Sequence, residues 1–221
     1  MTKKFIFIPV VNNFHLLEKA VKSVKQNLFN EYIIFNNSST DIPENIYNST
    51  QFKIYQPDTR KTFMQTQNIM RKYAIDNNFD YYCFMHNDGE IIDDTDIRLI
   101  KKADEIINTN WGIIFTHYDV LCVFKTKMTI NIGEWGDNEW LKEQQSGYYL
   151  DCDYYRRIKL LKYNIIELGG KGVLHNEQSN TIKEKKELDF WQKQSLIVKN
   201  HYIKKWGGTP GNEIFTKPFN K

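Results

Sequence analysis

Residues 4 to 11 form a short, continuous apolar run, the pattern of a strand buried on both faces of a parallel sheet. From Phe14 to Asn27 the spacing becomes helical, with Leu16, Leu17, Ala20, Val21 and Val24 on one side and Glu18, Lys19, Lys22 and Lys25 elsewhere. Tyr32-Ile33-Ile34-Phe35 reads as a second strand, stopped by the polar cluster Asn36-Asn37-Ser38-Ser39-Thr40-Asp41. The opening is therefore β-α-β, which implies a parallel pair joined by a right-handed crossover. Phe52 to Tyr55 predicts a third strand and Thr62 to Asn77 a helix. The aromatic strand Tyr81 to Met85 follows, then a helix over about 95–108 behind the capping-competent Asp93-Asp94-Thr95. Gly112–His117 and Leu121–Phe124 predict strands, Asp151–Leu161 a helix, and Asn164–Leu168 a late strand leading to Gly172-Val173-Leu174-His175. Regular alternation in the first half and less regular structure in the second point to an α/β sandwich whose halves are built differently. The tail from Lys205 to Lys221 is Gly/Pro-rich but carries Trp206, Phe215 and Phe219, which argues for packing against the body.

Length and composition sharpen this picture. At 221 residues with 41% hydrophobic content, the chain suits one well-buried domain. A formal charge of +3, with no basic stripe interleaved with aromatics, speaks against nucleic acid as a partner. Lys183-Glu184-Lys185-Lys186-Glu187 mixes signs and reads as a solvated helix face. Cys83, Cys122 and Cys152 are far apart and odd in number, which argues against a disulfide framework or structural zinc and for a reducing, cytoplasmic setting. The apolar start is broken by Pro9 and ends at Asn12-Asn13 with no cleavage-site pattern, so it reads as a strand, not a leader. No apolar stretch approaches the roughly 20 residues of a transmembrane segment.

Candidate chemistry gathers where strands end. Phe84-Met85-His86-Asn87-Asp88-Gly89-Glu90 carries an aromatic strand straight into hydrogen-bonding and acidic groups. A carboxylate there can hold Mg²⁺ or Mn²⁺, ions that share their ligands between protein carboxylates and nucleotide phosphates; the same segment also fits a plain Asp-Gly turn. Val11-Asn12-Asn13 and Asn36-Asn37-Ser38-Ser39 end two other strands. In a parallel sheet such ends lie along one edge and converge on one crevice, the geometry of a nucleotide site. Neither GxGxxG after the first strand nor GxxxxGK[ST] occurs, so dinucleotide and P-loop folds lose support, and a metal on Asp88 becomes the alternative phosphate anchor.

With these motifs in this order, the chain resembles the family 2-like glycosyltransferases of the GT-A fold, a three-layer α/β sandwich with a mixed, mainly parallel central sheet. Phe7 to Asn13 looks like that family's first strand and base-binding turn, and Ile34 to Asp41 its second strand and polar end. Phe84 to Glu90 falls where the family carries its Asp-x-Asp metal motif, and Gly147 to Arg157 is similar to the segment opening the helix of the catalytic base. Gly172-Val173-Leu174-His175 matches the strand-terminal His that often completes the metal shell, and the closing segments, Lys205 to Gly208 and Glu213 to Phe219, are similar to those of glycosyltransferases of large DNA viruses. The resemblance implies a nucleotide-binding half over 1–117, an acceptor and catalytic half over 118–204 and a packed tail over 205–221. It implies an inverting hexosyl or deoxyhexosyl transferase using Mn²⁺ or Mg²⁺ and a nucleoside diphosphate sugar, UDP-linked by family frequency and GDP-linked as the alternative. A glycan or glycoprotein would accept the sugar, in the cytoplasm (of the host cell for a viral enzyme).

Residue roles follow from the same comparison. Asp88 and His175 would hold the metal, and Asp151 would take the acceptor proton, with Asp153 the neighbour that could equally cap its helix. Val11, Asn12, Asn36 and Asn37 would line and address base and ribose, although Asn also commonly ends strands. Arg60 could reach base or phosphate, or be a surface charge; Lys205 and Trp206 could close over the donor, or simply pack. His86 stands where the family has its first Asp, and with Asn87 is expected beside the donor ribose. Asn36 and Asn37 replace the usual acid, so the link between that acid and uracil does not carry over. Trp135 and Trp140 flank an acidic loop read as the acceptor side, while Trp111 reads as core. Two other functions compete: a nucleotidyltransferase, disfavoured because Pro9 to Phe14 lacks glycine, and a non-catalytic nucleotide- or carbohydrate-binding domain.

Overall fold

A computed structural model describes residues 2–48, 50–116, 120–137, 149–170, 172–176, 183 and 185–221. The first half alternates as the periodicity predicts, with one added short helix, α2, that it did not: β1 (Lys4–Val10), α1 (Phe14–Ser23), β2 (Glu31–Asn36), α2 (Glu44–Tyr47), β3 (Phe52–Tyr55), α3 (Phe63–Asp76) and β4 (Tyr81–Met85). The second half holds β5 (Gly89–Ile91), α4 (Thr95–Glu105), β6 (Trp111–Phe115), β7 (Leu121–Lys125), α5 (Thr126–Ile132), α6 (Leu150–Leu160), β8 (Asn164–Glu167), β9 (Val173–His175) and α7 (Lys185–Trp206). Seven strands form the central sheet in the order β3-β2-β1-β4-β7-β6-β8; β5 and β9 form a separate pair. β7 runs antiparallel to both neighbours, whereas the β1–β2, β2–β3, β1–β4 and β6–β8 pairs are parallel.

The continuous apolar run of β1 is explained by burial on both faces. Ile6, Ile8 and Val10 enter a cluster with Leu17 and Val21 of α1 and Leu99 and Ala103 of α4. Phe5 and Phe7 enter the opposite cluster with Met70 of α3, Met128 of α5, Ile158 of α6 and Val198 and Tyr202 of α7. The result is a three-layer sandwich with the sheet between two helical layers.

Local chemistry sets the boundaries. Thr62 and Gln65 form a reciprocal capping box at the start of α3, satisfying two otherwise orphaned N–H groups. α1 stops at Ser23, four residues short of the expected Asn27, because Val24 is extended and the buried Asp96 carboxylate accepts from the Lys25 N–H at 2.7 Å. α4 ends at Glu105; Asp94 takes its N-cap position without a side-chain bond, and Asp93 Oδ1 before it accepts from the Thr95 N–H at 2.8 Å. The largest departure is α7: Lys205 and Trp206 complete a 22-residue helix, with the Gly-rich tail beginning after them. Trp111 is core, fully buried.

Candidate active site

The parallel strand order reverses between β1 and β4, and ligand crevices of open α/β sheets form at such switch points. Pairing of β1 with β4 stops at Phe7 opposite Phe84, whereas pairing with β2 continues to Val10 opposite Asn36. Pro9, with no N–H to donate, lies beyond the last β1–β4 pair. The diverging ends are tied by one side chain, Asn87 Nδ2 donating to the Asn12 carbonyl at 3.3 Å.

On the β1–β3 side lies a cleft of about 510 Å³ lined by Val11, Asn12, Asn36, Asn37, Arg60 and the turn Gln56 to Thr59, among others. Five sequence-predicted residues thus share one wall system. The two asparagines, however, are spent within the protein. Asn36 Nδ2 donates to the Thr40 carbonyl and Gln56 Oε1, and its Oδ1 accepts from the Ser38 N–H. Asn37 clamps Lys61 by both backbone groups at 2.6 Å. Both are buried and shape the loops rather than presenting free amides to a base. Ser38, Ser39, Gln56, Asp58, Thr59 and Arg60 line the same cleft. The Gln56-Pro57-Asp58-Thr59 stretch carried the same sign as the other two clusters, a polar run at the carboxyl end of a strand.

On the β4 side, His86, Asp88 and His175 converge, each offering one ligand atom and all three atoms within 4.8 Å of one another. His175 reaches Asp88 because β9 pairs with β5 in a register that sets His175 opposite Gly89. The Asn176 N–H donating to the Asp88 carbonyl at 2.7 Å fastens the same corner. Gly89 is required there: a Cβ would come within 2.8 Å of Val120 Cγ1. Asp88 Oδ1 is 3.2 Å from His175 Nε2 and 3.9 Å from His86 Nδ1. Neither contact is aligned as a hydrogen bond, so Oδ1 is a buried acceptor without a hydrogen-bond partner. Burial pulls His86 down to about 4, partly opposed by the Asp88 charge. Its imidazole is therefore neutral near pH 7, the form that can ligate a metal. A neutral imidazole beside an orphaned carboxylate oxygen fits a divalent cation. The sequence reading placed His86 with the donor; the fold places it with Asp88 and His175.

Asp151 and Asp153 both lie in the first turn of α6. Asp153 is fully buried and saturated: Oδ1 receives Lys205 Nζ and Trp206 Nε1, both at 2.8 Å, and Oδ2 receives Arg157 Nε at 2.9 Å. Lys205 and Trp206 are thus engaged inside the protein, and Lys205 also reaches Asp137 at 3.0 Å. Asp151 is half-buried, and desolvation lifts its carboxyl above the usual value, against hydrogen bonds from its own and the Cys152 N–H. An aromatic column joins this helix to the metal corner. His86 meets Phe84 at 5.0 Å, Phe84 meets Phe63 at 5.7 Å, Phe63 meets Trp135 at 5.8 Å, and Trp135 stacks on Tyr154 at 4.2 Å. Trp135 is therefore core, correcting its assignment to an acceptor surface: the Asn68 amide grips its backbone and Tyr154 covers its face. Trp140, with Asn138 and Glu139 before it, lies outside the described residues.

Comparisons with known proteins bear on the fold. A mannosyltransferase from Pyrobaculum calidifontis, solved with GDP-Man and Mn²⁺, superposes with a TM-score of 0.61 at 12% identity, over 88% of this chain and 64% of that one. GalNAc-T7, solved with UDP, GalNAc and Mn²⁺, gives a TM-score of 0.66 at 11% identity, over 93% of this chain and 49% of that one. TarS residues 1–349 from S. aureus gives 0.59 at 14% identity, over 91% and 72%. The chain thus spans about half to three quarters of these proteins' lengths. Such likeness establishes a GT-A fold. No curated protein matches by sequence. The profile described as "Glycosyl transferase family 2" matches residues 5–168, well over half of the sequence, and on that match, in a sheet of this order, the chain belongs to glycosyl transferase family 2.

Proposed function

We propose that the protein is a metal-dependent, inverting glycosyltransferase that moves a sugar from a nucleoside diphosphate, UDP-linked in preference to GDP-linked, to a hydroxyl of a glycan or glycoprotein. The observation that carries the reading is Asp88: a buried carboxylate oxygen with no hydrogen-bond partner, flanked by two imidazoles, at the switch-point crevice beside a nucleotide-sized cleft. His86, Asp88 and His175 would hold Mn²⁺ or Mg²⁺, which when bound supplies positive charge for the departing diphosphate. The cleft of Val11, Asn12 and the 56–60 turn receives the nucleoside, and Asp58 is the carboxylate among its lining residues. Uracil and guanine each present an imino N–H that needs such an acceptor. Asp151 takes the proton of the acceptor hydroxyl as that oxygen bonds to the anomeric carbon, and the bond from that carbon to the diphosphate oxygen breaks on the opposite face. Asp153, already bound by three donors, holds the helix in place.

Calorimetric titration with UDP and GDP, each with and without Mn²⁺, tests the reading on the wild type and on Asp88→Ala. One nucleotide should bind, with affinity at least tenfold weaker when either the metal or the Asp88 carboxylate is removed. If neither nucleotide binds under any condition, the UDP/GDP donor site falls, leaving a different donor or a non-catalytic domain of the same fold.

A further inference from the structure

We infer that this chain loads a transition-metal ion of the Mn²⁺, Co²⁺ or Zn²⁺ kind without any nucleotide, and that His86 is the residue that turns the site away from Mg²⁺. The inference deepens the reading above and rests on it only for the use made of the metal.

Mg²⁺ in nucleotide sites keeps several waters and takes one or two protein carboxylates, so the phosphates themselves complete its shell. The protein here offers three ligand atoms from three separate side chains, and two of them are imidazole nitrogens. Imidazole suits the borderline transition metals, whereas Mg²⁺ favours oxygen; a two-nitrogen, one-carboxylate set therefore selects against Mg²⁺. The 3.2 Å between Asp88 Oδ1 and His175 Nε2 is the separation of two donors each about 2.1 Å from a shared ion and close to a right angle apart.

The set is also held by the protein's own backbone. The His86 N–H donates to the Val120 carbonyl at 2.9 Å and the Gly89 N–H to the His86 carbonyl at 3.1 Å. The β5–β9 register fixes His175 against the same turn. None of these contacts needs a diphosphate. An acid at position 86 would leave one nitrogen and two carboxylates, a set that Mg²⁺ tolerates far better.

The test uses metal-stripped, nucleotide-free protein. Mn²⁺ is titrated and its free electron paramagnetic resonance signal followed; Co²⁺ is titrated and its visible absorption followed; each is then challenged with Mg²⁺. The expected result is one ion per chain, with less than half displaced by a 100-fold excess of Mg²⁺. His86→Asp should weaken Co²⁺ at least tenfold and let the same Mg²⁺ excess displace most of the Mn²⁺, with an unchanged circular dichroism spectrum. The inference is overturned if the wild type takes up no metal without nucleotide, or if Mg²⁺ displaces Co²⁺ at near-equal concentration. It also falls if a folded His86→Asp keeps the wild-type preference. Adding UDP or GDP is a separate arm: no binding to the metal-loaded protein defeats the transferase reading alone, and metal uptake that appears only once a nucleotide is added defeats only this inference.

Discussion

Asp151 and Asp153, two positions apart in the first turn of α6, are separated in role by what surrounds them. Asp153 has a full set of donors from Arg157, Lys205 and Trp206, so removing its charge takes a carboxylate partner from both Arg157 and Lys205, the latter keeping Asp137. Asp153→Asn should cost about 3 kcal/mol and lower the melting temperature by roughly 6–12 °C. Asp151 carries a desolvated carboxyl and, among the described residues, no cation pairs with it. Asp151→Asn should leave the fold and donor binding intact and reduce turnover by about 10² to 10⁴. The pH dependence has a definite sign. The folded state holds the Asp151 proton more tightly than the unfolded chain does, so this group's contribution to stability falls as pH rises from the ordinary value of 3.8 through the raised one. At neutral pH Asp151→Asn should therefore be slightly more stable than the wild type, and the acid limb of kcat/KM should lie above the ordinary carboxylate range. A melt series and a pH–rate profile check both. Equal loss of stability in the two variants would assign Asp151 to the scaffold.

Elements differ in how far the residues announced them. β1, β2, α3 and β4 follow from strong local patterns: apolar runs buried on both faces, and a capping box already spelled by Thr62 and Gln65. β5 and β9 are three residues each, too short for periodicity to register, yet their pairing brings His175 to Asp88. α7 was hidden because its start is a mixed charge run and the fully buried apolar positions among its described residues, Val198, Tyr202 and Trp206, fall near its end. For the same reason Lys205 and Trp206 read as tail residues free to close over a ligand. Trp135 was misread because a tryptophan in a Gly- and Asp-rich stretch looks exposed; only the tertiary stack on Tyr154 reveals it as core. That stack gives a clear test. Trp135→Ala should destabilise by about 3–5 kcal/mol and drop the melting temperature by roughly 10 °C, whereas Trp135→Phe recovers much of the loss. A sugar-stacking tryptophan would behave in the opposite way, with an unchanged melt and a raised KM for the acceptor.

At the scale of the whole molecule, the family match and the folded unit do not end together. The profile stops at residue 168, but the third side chain of the metal corner comes from His175, and α7 closes the second core. Val198, Tyr202 and Trp206 are 0%, 0% and 1% exposed, packed in the cluster that also holds Phe5, Phe7 and Tyr154. At about 1.5–3 kcal/mol for each large apolar side chain removed from water, these three contribute roughly 5–9 kcal/mol, comparable with the 5–15 kcal/mol that stabilises a typical domain. Their loss would also leave Asp153 without Lys205 and Trp206, turning a satisfied buried carboxylate into a liability. A chain ending at residue 176 keeps every matched residue and all three candidate ligands, yet it should show no cooperative thermal transition and should bind an apolar dye strongly. A cooperative melt within a few degrees of the full chain would mean that α7 is an addition to a self-sufficient sheet. The sheet's own composition argues otherwise, because Phe5, Phe7, Phe35, Tyr82 and Phe124 form a broad aromatic face that the helices of that layer must cover, and Val198, Tyr202 and Trp206 of α7 pack into the same cluster.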